Sequence, residues 1–224
     1  MPRKFSKRKK HYRKKRRNYN VVRLNRNPVA LKTIVPMKYC QDITLNPGLA
    51  GAPDYYEFRA NSIYDPDYTG VGHQPSGHDE WAQFYQHYNV IGSKISVNFA
   101  SYTTGGTVGT YVVGISTLDT NGQLAGKSGE GIRELQSTRF KLLGIAGSPS
   151  KTVSAKFSSK KRFGKNYMDD DNKGTMNSSN PPEDAIFAVF AYPGDATSDA
   201  SALYCQVTIQ YLVALTEPKT LAQS

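Results

Sequence analysis

The chain has 224 residues, 38% of them hydrophobic, and 29 Lys+Arg against 18 Asp+Glu give it a formal net charge of +11. Two cysteines exclude a disulfide scaffold, and the longest uninterrupted apolar run, 185–192, is too short for a membrane-spanning helix. Eleven cations (Arg3, Lys4, Lys7, Arg8, Lys9, Lys10, Arg13, Lys14, Lys15, Arg16 and Arg17) occupy the first seventeen residues with no acid among them, so residues 18–224 carry 18 charges of each sign.

Phe5 and Tyr12 are nearly the only apolar surface of residues 1–17, so burial cannot offset the entropy of ordering them. The arm is expected to be disordered when free. No apolar stretch and small-residue cleavage site follow the charges, so a secretory signal is not expected. The run is too uniformly basic for the amphipathic face of a mitochondrial presequence. Nuclear import and nucleic-acid binding remain, and they are compatible; a purely solubilising tail is the plain alternative. His11, Tyr12 and Tyr19 interleave rings that can stack on bases. Residues 1–28 are taken as arm and linker, and residues 29–224 as one domain with a sizeable core.

Along that domain, residues 31–45 place Leu31, Val35, Met37, Tyr39, Ile43 and Leu45 on one parity, a strand signature. Residues 54–60 are short and aromatic. Ser76 and Asp79 then form an S-x-x-D capping box, and Trp81, Phe84, Tyr85 and Tyr88 follow at helical spacing, which predicts one helix with a packed aromatic stripe. Residues 89–100 put Ile91, Ile95, Val97 and Phe99 on one face, and 107–118, 139–143, 152–158 and 185–192 supply further strands. The clearest pattern comes last: Leu203, Cys205, Val207, Ile209, Tyr211, Val213 and Leu215 alternate with a more polar set. Eight antiparallel strands with long connections predict an all-β, eight-stranded jelly roll with one short helix.

Tests for chemistry fail one by one. His73, His78 and His87 lie near Asp79 and Glu80, but no H-x-x-x-H pair exists and the cysteines are distant, so these are expected to be loop or helix-surface histidines. Asp169, Asp170 and Asp171 begin a faint calcium-loop pattern in which Lys173 and Asn180 occupy ligand positions, so a solvated acidic turn is expected. No nucleophile elbow, phosphate-binding loop or H-E-x-x-H occurs, no cofactor motif is found, and an enzyme is not expected. Cys205 shares the core parity of its strand and Cys40 opposes that of its own, which predicts two free thiols and a reducing compartment.

A second basic cluster comprises Lys151, Lys156, Lys160, Lys161, Arg162 and Lys165. Lysines on an edge strand block aggregation, which would account for it. The functional reading makes Lys156, Lys160, Lys161 and Arg162 a fixed phosphate-contacting patch beside the arm.

The basic start, the run Phe58-Arg-Ala-Asn-Ser-Ile-Tyr-Asp-Pro66, then Gly72-His-Gln-Pro75, then Glu80-Trp-Ala-Gln-Phe-Tyr85 and Val90-Ile-Gly-Ser-Lys-Ile95 resemble the capsid proteins of circovirus-like viruses with circular single-stranded DNA. The match is best over residues 54–100, whereas 105–180 carries little that resembles the family, as expected for surface loops. The resemblance implies a structural subunit that self-assembles, in about sixty copies, into a small icosahedral shell. It implies that Arg3 to Arg17 face inward on the packaged genome and engage nuclear import receptors, so the protein would occupy the virion and the host nucleus. A cellular nucleic-acid binder of ribosomal or chromatin type is the runner-up. A metal-dependent jelly-roll enzyme would need inward histidines on neighbouring strands, and only His87 lies near a strand.

The arm gives the first test. Residues 1–17 fused to a cytosolic reporter should concentrate it in the nucleus under fluorescence microscopy, and neutralising Lys14, Lys15, Arg16 and Arg17 should abolish most of that accumulation.

Overall fold

Strict alternation of polar and apolar residues places one edge of a strand in oil and the other in water, and the chain obeys it over unusual lengths. A computed structural model describes residues 28–48, 51–101, 110–144, 149–164, 168–194 and 201–221. Within it, β1 (Lys32–Leu45), β3 (Tyr85–Ser101), β6 (Lys151–Ser158) and β9 (Leu203–Pro218) form one antiparallel sheet in the order β1-β9-β3-β6. The second sheet joins β2 (Asp54–Arg59), β8 (Ile186–Pro193), β4 (Tyr111–Leu118) and β5 (Thr138–Leu143) in the order β2-β8-β4-β5. The chain crosses repeatedly between the two sheets, and this strand order is that of a jelly roll. A ninth, short strand, β7 (Lys173–Thr175), which the sequence pattern does not announce, pairs with the start of β3.

The two sheets close on one core. From β1 it takes Val35, Met37, Tyr39, Ile43 and Leu45; from β9 it takes Leu203, Cys205, Val207, Ile209, Tyr211, Val213 and Leu215. Burying each large apolar side chain contributes about 1.5–3 kcal/mol, so a one-residue slip between β1 and β9 would forfeit the fold. The two central strands of the second sheet, β4 and β8, are buried on both faces. Val112, Leu118, Ile186, Ala188, Phe190 and Tyr192 point away from the main core and are covered by Leu124 and Ile132 of the β4–β5 connection. That explains why β8 is apolar at every position rather than alternating. Part of the region expected to be surface loop is therefore a folded cover.

Several expectations need correction. Leu31 precedes β1 and is 80% exposed, because pairing begins only at Lys32. Ile91 does not share the face of Ile95, Val97 and Phe99: a β-bulge between Val90 and Gly92 shifts the register against β9 and leaves Ile91 half-buried. The aromatic stripe is split between two elements. Helix α1 (His78–Ala82) spans five residues, its N-cap is Gly77 in the left-handed region with no side-chain cap, and Tyr85 and Tyr88 belong to β3. Phe84 is exposed, while Trp81, Tyr85 and Tyr88 do pack on the core. Two more short helices, α2 (Gly129–Arg133) and α3 (Ser159–Phe163), and a 3₁₀ turn at Asp170–Asn172 join α1, so among the described residues the single expected helix becomes three. The fourth strand begins at Tyr111, and residues 107–109 of its expected range lie outside the described residues, as does the basic arm.

The parity argument for the thiols holds. Cys40 faces out opposite Thr208, Cys205 is buried opposite Ile43, and neither forms a disulfide. Burial pushes the Cys205 thiol up to about 12. In native protein one thiol per chain should react with a maleimide at neutral pH, and the second only after denaturation; mass spectrometry should map the first adduct to Cys40.

Candidate nucleic-acid interface

The eleven arm cations, Arg3 to Arg17, lie outside the described residues, so the structure locates only the second candidate set. Strand β6 is an edge: Val153, Ala155 and Phe157 enter the core, which turns Thr152, Ser154 and Lys156 outward. Helix α3 continues directly from it and ends at Gly164 in the left-handed region (φ 64°). Phe163 packs edge-on against Phe157, with ring centroids 6.2 Å apart, and this contact anchors the turn. Lys160 and Lys161 are left exposed, close in sequence to Lys156. Arg162 differs, because its guanidinium is ion-paired with Asp119 beside a cleft that also includes Glu183 and Asp184. Lys151 pairs across from Phe99 at the far end of the strand, and Lys165 lies outside the described residues.

Pairing brings in two lysines that sequence spacing missed. Lys38 of β1 stands opposite Gln210 of β9, Gln210 opposite Lys94 of β3, and Lys94 opposite Lys156 of β6. All four are exposed. More than fifty residues separate neighbouring lysines along the chain, so only the register reveals the row. The adjacent row is Cys40, Thr208, Ser96 and Ser154, and the next is Asp42, Gln206, Asn98 and Thr152. Among the outward residues of 36–44, 92–100, 152–158 and 204–212, Asp42 is the one carboxylate.

The segment that carries the family resemblance is architectural. Arg59 at the end of β2 donates to the Asp65 carboxylate (2.9 Å), lies over the Tyr68 ring (4.3 Å to the centroid), and its carbonyl accepts from Tyr211 of the other sheet (2.8 Å). Asn61 donates to the Glu183 carbonyl (2.7 Å) and accepts from the Ala185 backbone (3.1 Å). Ser62 and Tyr88 share a buried hydrogen bond of 2.8 Å. Asp67 is fully buried and accepts four bonds, from Gln41 (2.9 Å), Tyr56 (2.7 Å) and the backbone and hydroxyl of Thr69 (2.9 and 2.8 Å). Burial pushes its carboxyl up, but the bonds from Gln41, Tyr56 and Thr69 outweigh that and hold it below the ordinary value. Burial raises the Tyr39 hydroxyl well above its usual range, with the Asp67 charge adding to the effect, so it stays protonated and donates to Gln41.

The histidines do not converge. His73 is an exposed loop residue, stacked at 4.6 Å on Tyr39, and His87 approaches Glu217 at 3.3 Å. His78 is not the surface residue expected: at the first position of α1 it is 1% exposed, with Nδ1 3.2 Å from Asp79. Among the described residues no three His, Cys, Asp or Glu side chains gather as a metal site. The acidic turn is only partly solvated. Asp170 is exposed, but Asn172 is buried and donates to Val90 (3.0 Å) and Ser159 (3.1 Å).

No protein-family model matches the chain, and a search of curated proteins finds no match. Solved structures do. Giant freshwater prawn Macrobrachium rosenbergii nodavirus, imaged as a semi-empty VLP, shares 12% identity over 100% of this chain and 97% of its own, with a TM-score of 0.48. The decameric BFDV capsid protein shares 10% identity over 82% of this chain and 99% of its own (TM-score 0.45). Turnip yellow mosaic virus shares 12% identity over 89% of each chain (TM-score 0.43). The jelly roll assigned here rests on the strand order and pairing of the chain itself.

Replacing Asp67 with Asn would leave an amide facing two of the four donors. Unfolding in urea at neutral pH should show a loss of about 1–3 kcal/mol. A depressed carboxyl contributes stability that is present above its unfolded value of about 3.9 and is lost as pH falls through the folded one. The gap between wild type and Asp67→Asn should therefore narrow below about pH 4.

Proposed function

We propose that this chain is the coat protein of a small virus with a circular single-stranded DNA genome, a structural subunit that assembles into a shell of about sixty copies and packages DNA with its basic arm. One observation carries the reading: eleven cations and no acid sit in residues 1–17, at the head of a domain, residues 29–224, whose 16 Lys+Arg and 18 Asp+Glu nearly cancel. A polyphosphate binds such an arm by releasing condensed counterions, without requiring a shaped pocket. A body of nearly zero net charge lets copies meet edge to edge with little self-repulsion. Sixty arms supply on the order of 660 positive charges to the enclosed genome. The arm also serves nuclear import, so the subunit acts in the virion and in the host nucleus. The resemblance of residues 54–100 supports the same reading, and the structure gives those residues a task that any such subunit needs, joining the two sheets.

Electron microscopy of the purified full-length protein should show uniform small shells. Protein lacking residues 1–17 should still form shells or capsomer-sized oligomers by sedimentation, with ultraviolet absorbance showing little nucleic acid. A body that stays monomeric at every protein and salt concentration overturns the coat reading and favours a cellular nucleic-acid binder.

A further inference from the structure

The row Lys38, Gln210, Lys94 and Lys156 runs straight across all four long strands of the β1-β9-β3-β6 sheet. We propose that this row is a fixed contact for the phosphate backbone of single-stranded nucleic acid, so that this face of the sheet, and not the arm alone, touches the genome. The inference rests on the nucleic-acid reading of the chain and deepens it.

Strands in a sheet lie about 4.8 Å apart, which roots Lys94 and Lys156 about 5 Å from each other and Lys38 about 10 Å beyond Lys94. Like charges directly opposite across a strand pair destabilise a sheet unless an anion lies between them. Edge protection accounts for Lys38 and Lys156, which sit on the outermost strands. It does not account for Lys94, because at that position β3 is paired on both sides, with Gln210 and with Lys156. None of the three lysines has an ion-pair partner among the described residues. Asp42 lies four residues from Lys38 along β1, about 13 Å away at the rise of a strand.

The surroundings suit a phosphodiester chain. The adjacent row offers the hydroxyls of Thr208, Ser96 and Ser154, with Ser96 and Ser154 hydrogen-bonded at 2.6 Å. Hydroxyls and lysines together are the usual donors to phosphate oxygens. Lys160 and Lys161 extend the cationic surface past the end of β6. Exposed cations set side by side in a row can be bridged by a flexible single strand that lies across several of them at once.

The test uses full-length protein and a fluorescent poly-dT oligonucleotide, titrated at several salt concentrations. In the triple variant Lys38→Gln, Lys94→Gln and Lys156→Gln, three lost phosphate contacts should lower the log–log salt slope by about 2. Arg139→Gln with Lys141→Gln, on the opposite sheet, should leave the slope unchanged. The thermal midpoint of the triple variant should be equal to or above that of wild type, because the Lys94–Lys156 opposition is gone. A wild-type slope in the triple variant, or an equal loss in the β5 control, overturns the proposal. So does a triple variant that loses binding to polyglutamate while keeping poly-dT, since the partner would then be an acidic protein. Neutralising the eleven arm cations in a parallel variant separates the two readings. If only the arm variant loses slope, the arm reading stands and the sheet contact falls; if only the triple variant does, the reverse holds.

Discussion

Strand β9 is paired along its length by β1 on one side and β3 on the other, and this double register is the constraint from which the larger sheet follows. With a side-chain period of two, fixing one pair fixes the face of every residue in both neighbours. The odd-numbered residues of β1, β9 and the second half of β3 make the core. The even-numbered residues make an outer face in which hydroxyls, amides and lysines lie beside exposed Ile34, Pro36 and Leu212. The same register buries Cys205, exposes Cys40, and aligns three lysines distant in sequence. Only the bulge at Val90 and Gly92 breaks the rule, and it lets Tyr88 and Val90 be buried alongside Ile95, Val97 and Phe99 despite opposite parity.

A sandwich also needs its sheets held at a set angle, which apolar contact does not specify by itself. Here the specification comes from buried polar groups between β2 and α1. Arg59, Asn61, Ser62 and Asp67 bond to residues of β1, β3, β9 and the approach to β8. The side chains of Asn61, Ser62 and Asp67 are hydrogen-bonded in a low-dielectric interior, where an unmade bond would cost more than a made one contributes, whereas Arg59 Nε lies 3.7 Å from Asp184 without a hydrogen bond. These residues looked distinctive as a motif because several polar groups must all fit at once. Their distinctiveness lies in architecture rather than in chemistry on a substrate.

Charge is organised on two levels. Eleven cations are concentrated in residues 1–17 of the sequence, whereas the sheet spaces a few cations by hydrogen-bond geometry. An arm can follow a polyanion whose path varies, and a rigid row can hold one whose path is fixed. On the proposed reading both attract nucleic acid, while the nearly balanced charge of the rest of the chain lets copies meet.

Much of this was legible in the chain. Alternation located β1, β9 and the second half of β3, because half-buried strands show their period directly, whereas β8 was legible as an unbroken apolar run. The fold class and the two free thiols followed from those two signals. The sequence could not show the split of the aromatic stripe between α1 and β3, since Trp81, Phe84, Tyr85 and Tyr88 satisfy a helical spacing that the pairing of β3 overrides. Nor could it show that His78 and Asn172 are buried, that Arg162 is engaged by Asp119, or that a bulge displaces Ile91. Composition and periodicity are local properties and survive in one dimension. Which residue stands opposite which depends on strands more than fifty residues apart, so the row of Lys38, Lys94 and Lys156 exists only in the folded sheet.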